Sequence, residues 1–294
     1  MPNYVAFLVE YSYFCSMKLI ADSGSTKTDW VLVDDRATIV GSQKTEGINP
    51  VHLSTDQIKA VLDGITIAAG QQLEGVFFYG SGLRPEYRQP MQHLLKESLG
   101  ATTVMAESDM LGAARALCGT KEGIACILGT GANSCLYDGH CIVQNTPAMG
   151  YVLGDEGSGA VLGRNLLNRL YKGQLPRDLL MLFEQEEQMS MASVIERVYR
   201  KPLANRWLAS LTHFIYRHLP DYPSLSQMVV DSFCDFLRFN VAPYHREDLP
   251  VSAIGSIAWY FQTELAQAAA LCGMRMGRVD QSPVEGLIDY HCRH

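Results

Sequence analysis

The sequence of 294 residues has no excess of positive charge, since its 24 lysines and arginines are outnumbered by 31 aspartates and glutamates. A formal net charge of -7 gives no electrostatic footprint for nucleic acid or for an anionic membrane surface. Any phosphate that the protein binds must therefore be held locally, by backbone amides and a metal ion. Hydrophobic residues make up 47% of the chain and charged residues 19%, which is typical of a globular protein with enough length for two domains.

The eight cysteines form no C-x-x-C pair, and no histidine lies at zinc-finger spacing from them. Together with the lack of a secretory signal pattern, this favours free thiols in a reducing, cytoplasmic compartment. Cys126 and Cys135 lie within apolar runs, and we predict that both are core residues.

Residues 1–16 are apolar and aromatic, but they have no basic start and are too short to span a bilayer. We interpret them as an N-terminal extension of doubtful origin, with a real additional strand as the alternative. The first convincing strand begins at Met17.

Two common nucleotide-binding motifs are also missing. No G-x-x-x-x-G-K-[ST] sequence occurs, which excludes a P-loop. Gly129 and Gly131 form part of a dinucleotide fingerprint, but the third glycine is missing and the pattern that follows predicts a strand instead of a helix. We therefore reject a Rossmann dinucleotide site.

Residues 18–33 contain two apolar runs around a polar core, which predicts a strand, a tight turn and a second strand. Small side chains in the turn allow backbone amides to approach an anion, while hydroxyls and one lysine add donors. These residues are Ser23, Gly24, Ser25, Thr26, Lys27 and Thr28. Asp22 ends the first strand, where a divalent cation would lie against phosphate oxygens. The pattern predicts a phosphate-binding hairpin, with an ordinary polar hairpin as the alternative.

The same order of strand, glycine turn and strand begins again at residue 124, with Gly129, Thr130 and Gly131 in the turn. This repetition predicts two duplicated domains that face one cleft, with a boundary near residue 119. The N-terminal domain then covers residues 17–118 and the C-terminal domain residues 119–294. The pattern of residues 177–240 is helical by its period.

Two polar residues follow predicted strands. Asn49 lies in a loop before a helix that opens with a capping box, in which Ser54 and Gln57 cap each other. Asp109 lies where a strand ends and a helix begins, which is the ligand side of an α/β sheet, although a simple N-cap is the alternative.

Asp155 and Glu156 are framed by glycines, directly before a predicted helix from about residue 160. Their carboxylates can accept hydrogen bonds from a polyol or order the waters of a metal ion, with helix capping as the alternative. Gly255 turns a strand into a helix, and a glycine there lets a flat nucleobase or ribose lie against the backbone, with a tight turn alone as the alternative.

Taken together, these segments resemble the N-acetylglucosamine kinase group of the BadF/BadG/BcrA/BcrD ATPase family, in the superfamily of sugar kinases, hexokinase and actin. The matching segments are D-S-G-S-T-K-T-D-W at 22–30, G-I-N-P at 47–50, E-S-D-M-L-G-A at 107–113, L-G-T-G-A-N-S at 128–134, G-D-E-G-S-G at 154–159, A-I-G-S-I-A at 253–258 and S-P-V-E-G-L at 282–287. The resemblance implies an α/β fold of two ribonuclease-H-like, actin-like ATPase domains around an ATP and sugar cleft, the second with a helical insertion.

The resemblance also implies roles for individual residues. The phosphates of ATP would lie against Gly24, Ser25, Thr26, Lys27, Gly129, Thr130 and Gly131, and adenosine against Gly255 and Ser256. Asp22 would hold Mg²⁺ through water. The sugar would contact Asn49, Asn133, Gly150 and Asp155, and Asp109 would be the general base for its 6-hydroxyl.

The implied reaction is ATP-dependent phosphorylation of an aminosugar, with N-acetylglucosamine first. Related enzymes stack an aromatic residue on the sugar where this chain has Met149, so glucosamine and muramic-type sugars remain alternatives. Two further alternatives are the activator ATPase of an acyl-CoA dehydratase or reductase, which would need shared cysteines such as Cys118 and Cys141, and a non-catalytic sugar sensor. The expected partner is a small-molecule aminosugar, with neither nucleic acid nor membrane, and a homodimer is left open.

Overall fold

The computed structural model of the chain describes residues 16–24, 26–68 and 72–293. The interpretation of residues 1–16 and the role of Ser25 therefore fall outside the described residues, apart from Ser16. No helix in the described ranges combines the length and the apolar character that crossing a membrane requires. The chain divides into two compact units between Glu107 and Ser108.

The first unit is built on a five-stranded sheet. Its strands are β1 (Met17–Ser23), β2 (Lys27–Val33), β3 (Ile39–Glu46), β4 (Leu73–Gly80) and β5 (Thr103–Ser108), in the order β3-β2-β1-β4-β5. The first three strands form an antiparallel meander, and β4 then pairs in parallel with β1. The predicted hairpin at residues 18–33 is therefore confirmed as the β1–β2 pair.

Two helices complete the first unit, α1 (Thr55–Asp63) and α2 (Pro85–Leu99). The predicted capping box begins α1, because Ser54 accepts from the Gln57 amide while the Gln57 side chain accepts from the Ser54 amide. The core contains the apolar faces of both helices and of β1, β2 and β4, with Trp30 packed on Phe78 at a ring separation of 6.0 Å.

The second unit repeats this sheet order. Its strands are β6 (Glu122–Leu128), β7 (Ala132–Asp138), β8 (Ile142–Gln144), β9 (Val251–Ile254) and β10 (Met276–Asp280), in the order β10-β9-β6-β7-β8. Strands β6, β7 and β8 are antiparallel, and β9 pairs in parallel with β6 and β10 with β9. Since the connectivity is the same in both sheets, the predicted duplication of a two-domain α/β fold is confirmed.

Helix α3 (Asp109–Cys118) belongs to the second unit, so the observed division lies one helix before the boundary expected near residue 119. The reason is packing, because α3 lies against β6 and α13 (Val284–Cys292). A side chain at Gly286 would come within 2.3 Å of the Ala116 carbonyl oxygen, so the approach of the two helices is close.

The remaining helices of the second unit lie mainly between β8 and β9. They are α4 (Gly150–Leu153), α5 (Gly159–Tyr171), α6 (Arg177–Glu186), α7 (Met191–Arg200), α8 (Ala204–Ser210), α9 (Thr212–His218) and α10 (Pro223–Phe236), with α11 (Ser256–Tyr260) and α12 (Gln262–Leu271) after β9. A π-helical segment, Leu237–Val241, continues α10, and a 3-10 turn, Ala242–Tyr244, follows it. The helical period of residues 177–240 thus corresponds to several helices, one of which begins at Pro223 because proline fits the first helical position.

Candidate active site

The turn between β1 and β2 is anchored by a buried serine. Ser23 Oγ lies 2.7 Å from Thr28 Oγ1 and accepts the Ile48 amide at 2.9 Å. Thr28 is fully buried, and its hydroxyl donates to the Glu46 carbonyl at 3.0 Å. The expectation that Thr28 supplies a donor to phosphate is therefore wrong, because its hydroxyl is used inside the unit.

The outward side of this turn consists of Gly24, Thr26 and Lys27, all of which are exposed. The turn is closed by the Gly24 amide, which donates to the Lys27 carbonyl at 3.0 Å. Lys27 Nζ lies 2.6 Å from Asp29 Oδ2, so its charge is shared with a carboxylate beside the turn. A phosphate at the turn would compete with Asp29 for this cation.

Gly24 and Gly129 are glycines that the protein's own packing does not require. Neither has a positive φ. Among the described residues, a Cβ at Gly24 would meet only the Lys27 carbonyl oxygen, at 3.8 Å, and a Cβ at Gly129 would meet nothing within 4 Å. The bare backbone at both positions leaves room for an anion to approach, which fits a phosphate cradle.

Asp22 is half-buried on β1 and stands in register with Asp29 on β2 and Tyr79 on β4. Among the described residues, no three His, Cys, Asp or Glu side chains are grouped as metal ligands. Mg²⁺ usually keeps several waters and binds through one or two carboxylates plus the phosphates of a substrate. A single carboxylate beside a phosphate-sized turn fits a magnesium ion that arrives with its nucleotide.

The loop that carries Asn49 is fixed to the β1–β2 turn. The Ile48 amide donates a hydrogen bond to Ser23 Oγ, and the Gly47 amide donates to the Thr26 carbonyl at 3.2 Å. Asn49 Oδ1 accepts the Val51 amide at 2.9 Å, and its side chain lies so near Gly82 that a Cβ there would be 2.3 Å from Oδ1. The first unit thus brings Asn49 and the phosphate-sized turn into one connected structure.

The turn between β6 and β7 is attached to the beginning of α5. The Gly129 amide donates to the Gly131 carbonyl at 2.9 Å, which tightens the turn. The amides of Gly159 and Ala160 donate to the carbonyls of Gly129 and Thr130, at 2.8 and 3.1 Å. The β6–β7 turn is therefore held by a helix, whereas the β1–β2 turn is held by a loop.

Asp155 lies directly against this second turn. A Cβ at Gly131 would be 3.1 Å from Asp155 Oδ2, so glycine is needed for the carboxylate to approach. Asp155 has a φ of 55°, a left-handed conformation that aspartate tolerates better than most residues. Burial raises the pKa of its carboxyl, a hydrogen bond from the Ala132 amide lowers it, and the charge of Glu156 raises it.

Two residues that the sequence did not single out support these loops. Asn240, in the π-helical segment, donates from Nδ2 to Glu156 Oε2 at 3.0 Å, and its carbonyl accepts from Ser134 Oγ at 2.8 Å. Asn145 donates from Nδ2 to Asn133 Oδ1 at 2.9 Å. No local pattern marks either residue, since each contact joins distant parts of the chain, although π-helical turns are frequent at functional sites.

Gly255 is required by the fold. Its φ is 118°, and a Cβ there would lie 2.4 Å from the Leu128 carbonyl oxygen at the end of β6. Its amide donates to the Asp280 carbonyl at 3.0 Å, and α11 begins directly afterwards at Ser256. Gly255 and Ser256 therefore lie at the same sheet edge as the second turn, because β6 and β9 are parallel.

Asp109 is the first residue of α3. The helix cap is Ser108, whose Oγ accepts the Leu111 amide at 3.3 Å, so the alternative of Asp109 as the N-cap is wrong. Asp109 Oδ1 accepts the Met110 amide at 2.8 Å. Gly150, the other predicted sugar contact, begins α4 with a φ of 75° and has open space where a Cβ would be.

No protein-family model matches this chain, and no curated protein matches it. Among solved structures, a candidate N-acetylglucosamine kinase from Porphyromonas gingivalis is 45% identical, with a TM-score of 0.89 and coverage of 94% of this chain and 99% of that chain.

Two more distant structures share the fold. A candidate N-acetylglucosamine kinase from Chromobacterium violaceum is 18% identical with a TM-score of 0.65, over 94% of this chain and 98% of that chain. A ROK family glucokinase from Streptomyces griseus, solved with glucose and AMPPNP, is 14% identical with a TM-score of 0.54, over 94% of this chain and 97% of that chain. From the identity and coverage of the Porphyromonas structure, together with the duplicated sheets, the chain belongs to the N-acetylglucosamine kinase group of sugar kinases with the actin-like ATPase fold.

Proposed function

We propose that the protein transfers the γ-phosphoryl group of ATP to an aminosugar, with N-acetylglucosamine and its 6-hydroxyl as the acceptor. The observation that carries this proposal is the pair of equivalent turns, β1–β2 and β6–β7, each with a glycine at which an added Cβ would have room. Phosphoryl transfer depends mainly on alignment and charge neutralisation, which amide-rich turns provide.

In this proposal the phosphates of ATP bind both turns. Gly24, Thr26 and Lys27 offer the exposed backbone and the cation of the first turn, and Ser25 is proposed with them. Gly129, Thr130 and Gly131 form the second turn, and Gly255 with Ser256 borders the adenosine. When bound, Mg²⁺ would neutralise phosphate charge, with Asp22 as its protein partner through water.

The sugar is proposed to bind Asn49, Asn133, Gly150 and Asp155. A sugar hydroxyl is a poor nucleophile, so a carboxylate within hydrogen-bond reach must orient it and take its proton. Asp109 is proposed for this role. Its place at the carboxyl end of β5, the side of an α/β sheet where ligands bind, supports this role.

Met149 bears on which sugar is the acceptor. Met149 occupies the position where related enzymes carry an aromatic residue, and its side chain is 64% exposed. A methionine cannot offer the flat face on which a sugar ring stacks. Glucosamine and muramic-type sugars are therefore the nearest alternatives for the acceptor.

The activator ATPase alternative is disfavoured by two sequence motifs. The second turn reads G-T-G-A-N at residues 129–133, and the sugar-kinase motif G-D-E-G-S-G is present at residues 154–159. The presence of Asp22, Asp109 and both glycine turns in the sequence supports an enzyme over a sensor.

The test is ADP release from ATP and Mg²⁺ with N-acetylglucosamine, glucosamine, N-acetylmuramic acid, glucose and no sugar. The proposal predicts release that depends on an aminosugar and a sugar 6-phosphate as product. Release at one rate with and without sugar would instead favour the activator ATPase, and no release with any sugar would favour the sensor.

A further inference from the structure

The side-chain amide of Asn133 has an orientation that a backbone group fixes. Its Oδ1 lies 2.9 Å from the Ser134 amide nitrogen. A backbone N–H can only donate, so the atom that faces it must be the amide oxygen. Rotation of the amide by half a turn would place two donors against each other.

The amide of Asn145 is fixed in the same way by two acceptors. Its Nδ2 lies 2.5 Å from the Ser134 carbonyl oxygen and 2.9 Å from Asn133 Oδ1. Both partners accept only, so the Asn145 atom between them must be its nitrogen. Asn145 therefore occupies the oxygen side of the Asn133 amide together with the Ser134 amide.

The nitrogen side of Asn133 is left for another partner. Its Nδ2 makes no hydrogen bond to any residue that the structure describes. The Asp155 carboxylate accepts the amide of Ala132, the residue before Asn133. The Asn133 donor thus lies at the beginning of β7, which the Asp155 carboxylate also contacts, and a sugar that binds there can accept from one and donate to the other.

We propose that Asn145 is a positioning residue for sugar recognition, which keeps Asn133 oriented as an N–H donor at the end of β7 that Asp155 also contacts. The inference rests on the proposed function, since it assumes that a sugar binds there. Asn145 is held through its neighbour Thr146, whose Oγ1 donates to the Asn240 carbonyl at 2.9 Å and whose amide donates to Tyr244 Oη at 3.1 Å.

Asn145 is itself exposed, so its substitution should leave the fold intact. The test compares Asn145→Ala, Asn133→Ala and the double variant, with Gln144→Ala as the control. Gln144 is the exposed neighbour, and its side-chain amide donates to the Pro243 carbonyl at 3.3 Å. The readouts are KM for N-acetylglucosamine, KM for ATP, kcat and the melting temperature.

We expect Asn145→Ala to raise the sugar KM about threefold to tenfold, as for one lost hydrogen bond, with the ATP KM unchanged. In the Asn133→Ala background the same change should have no further effect on the sugar KM, because Asn145 acts through Asn133. Asn145→Asp should raise the sugar KM more than Asn145→Ala, since its carboxylate would face two acceptors, Asn133 Oδ1 and the Ser134 carbonyl, and push the Asn133 amide out of position.

An active wild-type protein with an unchanged sugar KM in Asn145→Ala would overturn this inference alone. Additive effects of the two alanine substitutions, or an equal rise in both KM values, would also overturn it. A wild-type protein without sugar-dependent turnover would overturn the proposed function, and the inference with it.

Discussion

The two glycine turns have the same place in two sheets of the same connectivity, yet they are held in different ways. The first turn depends on the hydroxyl of Ser23, which joins it to the loop of Asn49. The second depends on backbone hydrogen bonds to α5 and on the close approach of Gly255 to Leu128. A duplicated hairpin has thus acquired a side-chain anchor in one unit and a backbone anchor in the other.

This difference indicates what each turn tolerates. Where a side chain anchors a turn, its loss leaves buried groups without hydrogen bonds. Where backbone contacts anchor a turn, the positions that matter are glycines, and an added Cβ is the damaging change. Different substitutions should therefore disrupt the two turns, although both are proposed to bind the same ligand.

The largest stability effect is expected for Gly255→Ala in the second unit. The added Cβ would be 2.4 Å from the Leu128 carbonyl at a φ of 118°, and strain and overpacking together should cost on the order of 3 kcal/mol. Chemical denaturation measures this loss, with Gly41→Ala as the control because a Cβ there meets Ile67 at an ordinary 3.6 Å. Equal stability of both variants would contradict the backbone anchor.

A smaller loss of stability is expected for Ser23→Ala in the first unit. The change leaves the buried Ile48 amide without its acceptor, which should cost about 2 kcal/mol and raise the sugar KM through Asn49. Denaturation and steady-state kinetics measure the two effects. Ser42→Ala, on the exposed side of β3, is the control. If Ser23→Ala were as stable as this control, the side-chain anchor would be refuted.

A third prediction concerns how the stability depends on pH through Asp155, which lies against the turn of the second unit. Its pKa is raised by burial, so the native state binds the proton more readily than the unfolded chain, and the stability from this group decreases as pH rises through that pKa. Asp155→Asn should therefore raise the melting temperature at neutral pH, where asparagine also suits a φ of 55°.

The same carboxylate must be ionised to accept hydroxyl hydrogen bonds. The sugar KM of the wild type should rise as pH falls, and at a higher pH than for an ordinary aspartate, while Asp155→Asn should have a weak affinity without this dependence. The exposed Asp63→Asn serves as the control for the change of charge. A lower melting temperature for Asp155→Asn than for this control would contradict the burial argument.

The smallest stability effects are expected for Gly24→Ala and Gly129→Ala, whose Cβ atoms have room in both turns. Each variant should stay within about 0.5 kcal/mol of the wild type, because packing does not require these glycines. Nucleotide affinity, measured by titration calorimetry, should nevertheless weaken about tenfold as phosphate loses its close approach. Unchanged affinity in both variants would show that neither turn binds phosphate.

Much of the fold was predictable because its signals are local. The two apolar runs around a polar turn at residues 18–33 and the capping box of Ser54 and Gln57 each depend on a few neighbouring residues. The restart of the pattern at residue 124 likewise predicted the second sheet. These features determine the strands, the turns and the order in which they occur.

The supports of the site were not predictable, because they depend on contacts between distant residues. Asn240 contacts Glu156 and Asn145 contacts Asn133 across separations of 84 and 12 residues in the sequence. Thr28 is a residue type that often contacts phosphate, but its position on β2 buries its side chain. Membership of α3 in the second unit also follows from packing against β6 and α13.

The most direct test of the proposed kinase reaction is Asp109→Asn, which preserves shape and removes the base. We predict that its aminosugar-dependent ADP release falls at least about 100-fold in kcat, while calorimetry shows nucleotide binding close to that of the wild type. Sugar-dependent turnover equal to that of the wild type would remove Asp109 from the reaction and contradict the mechanism.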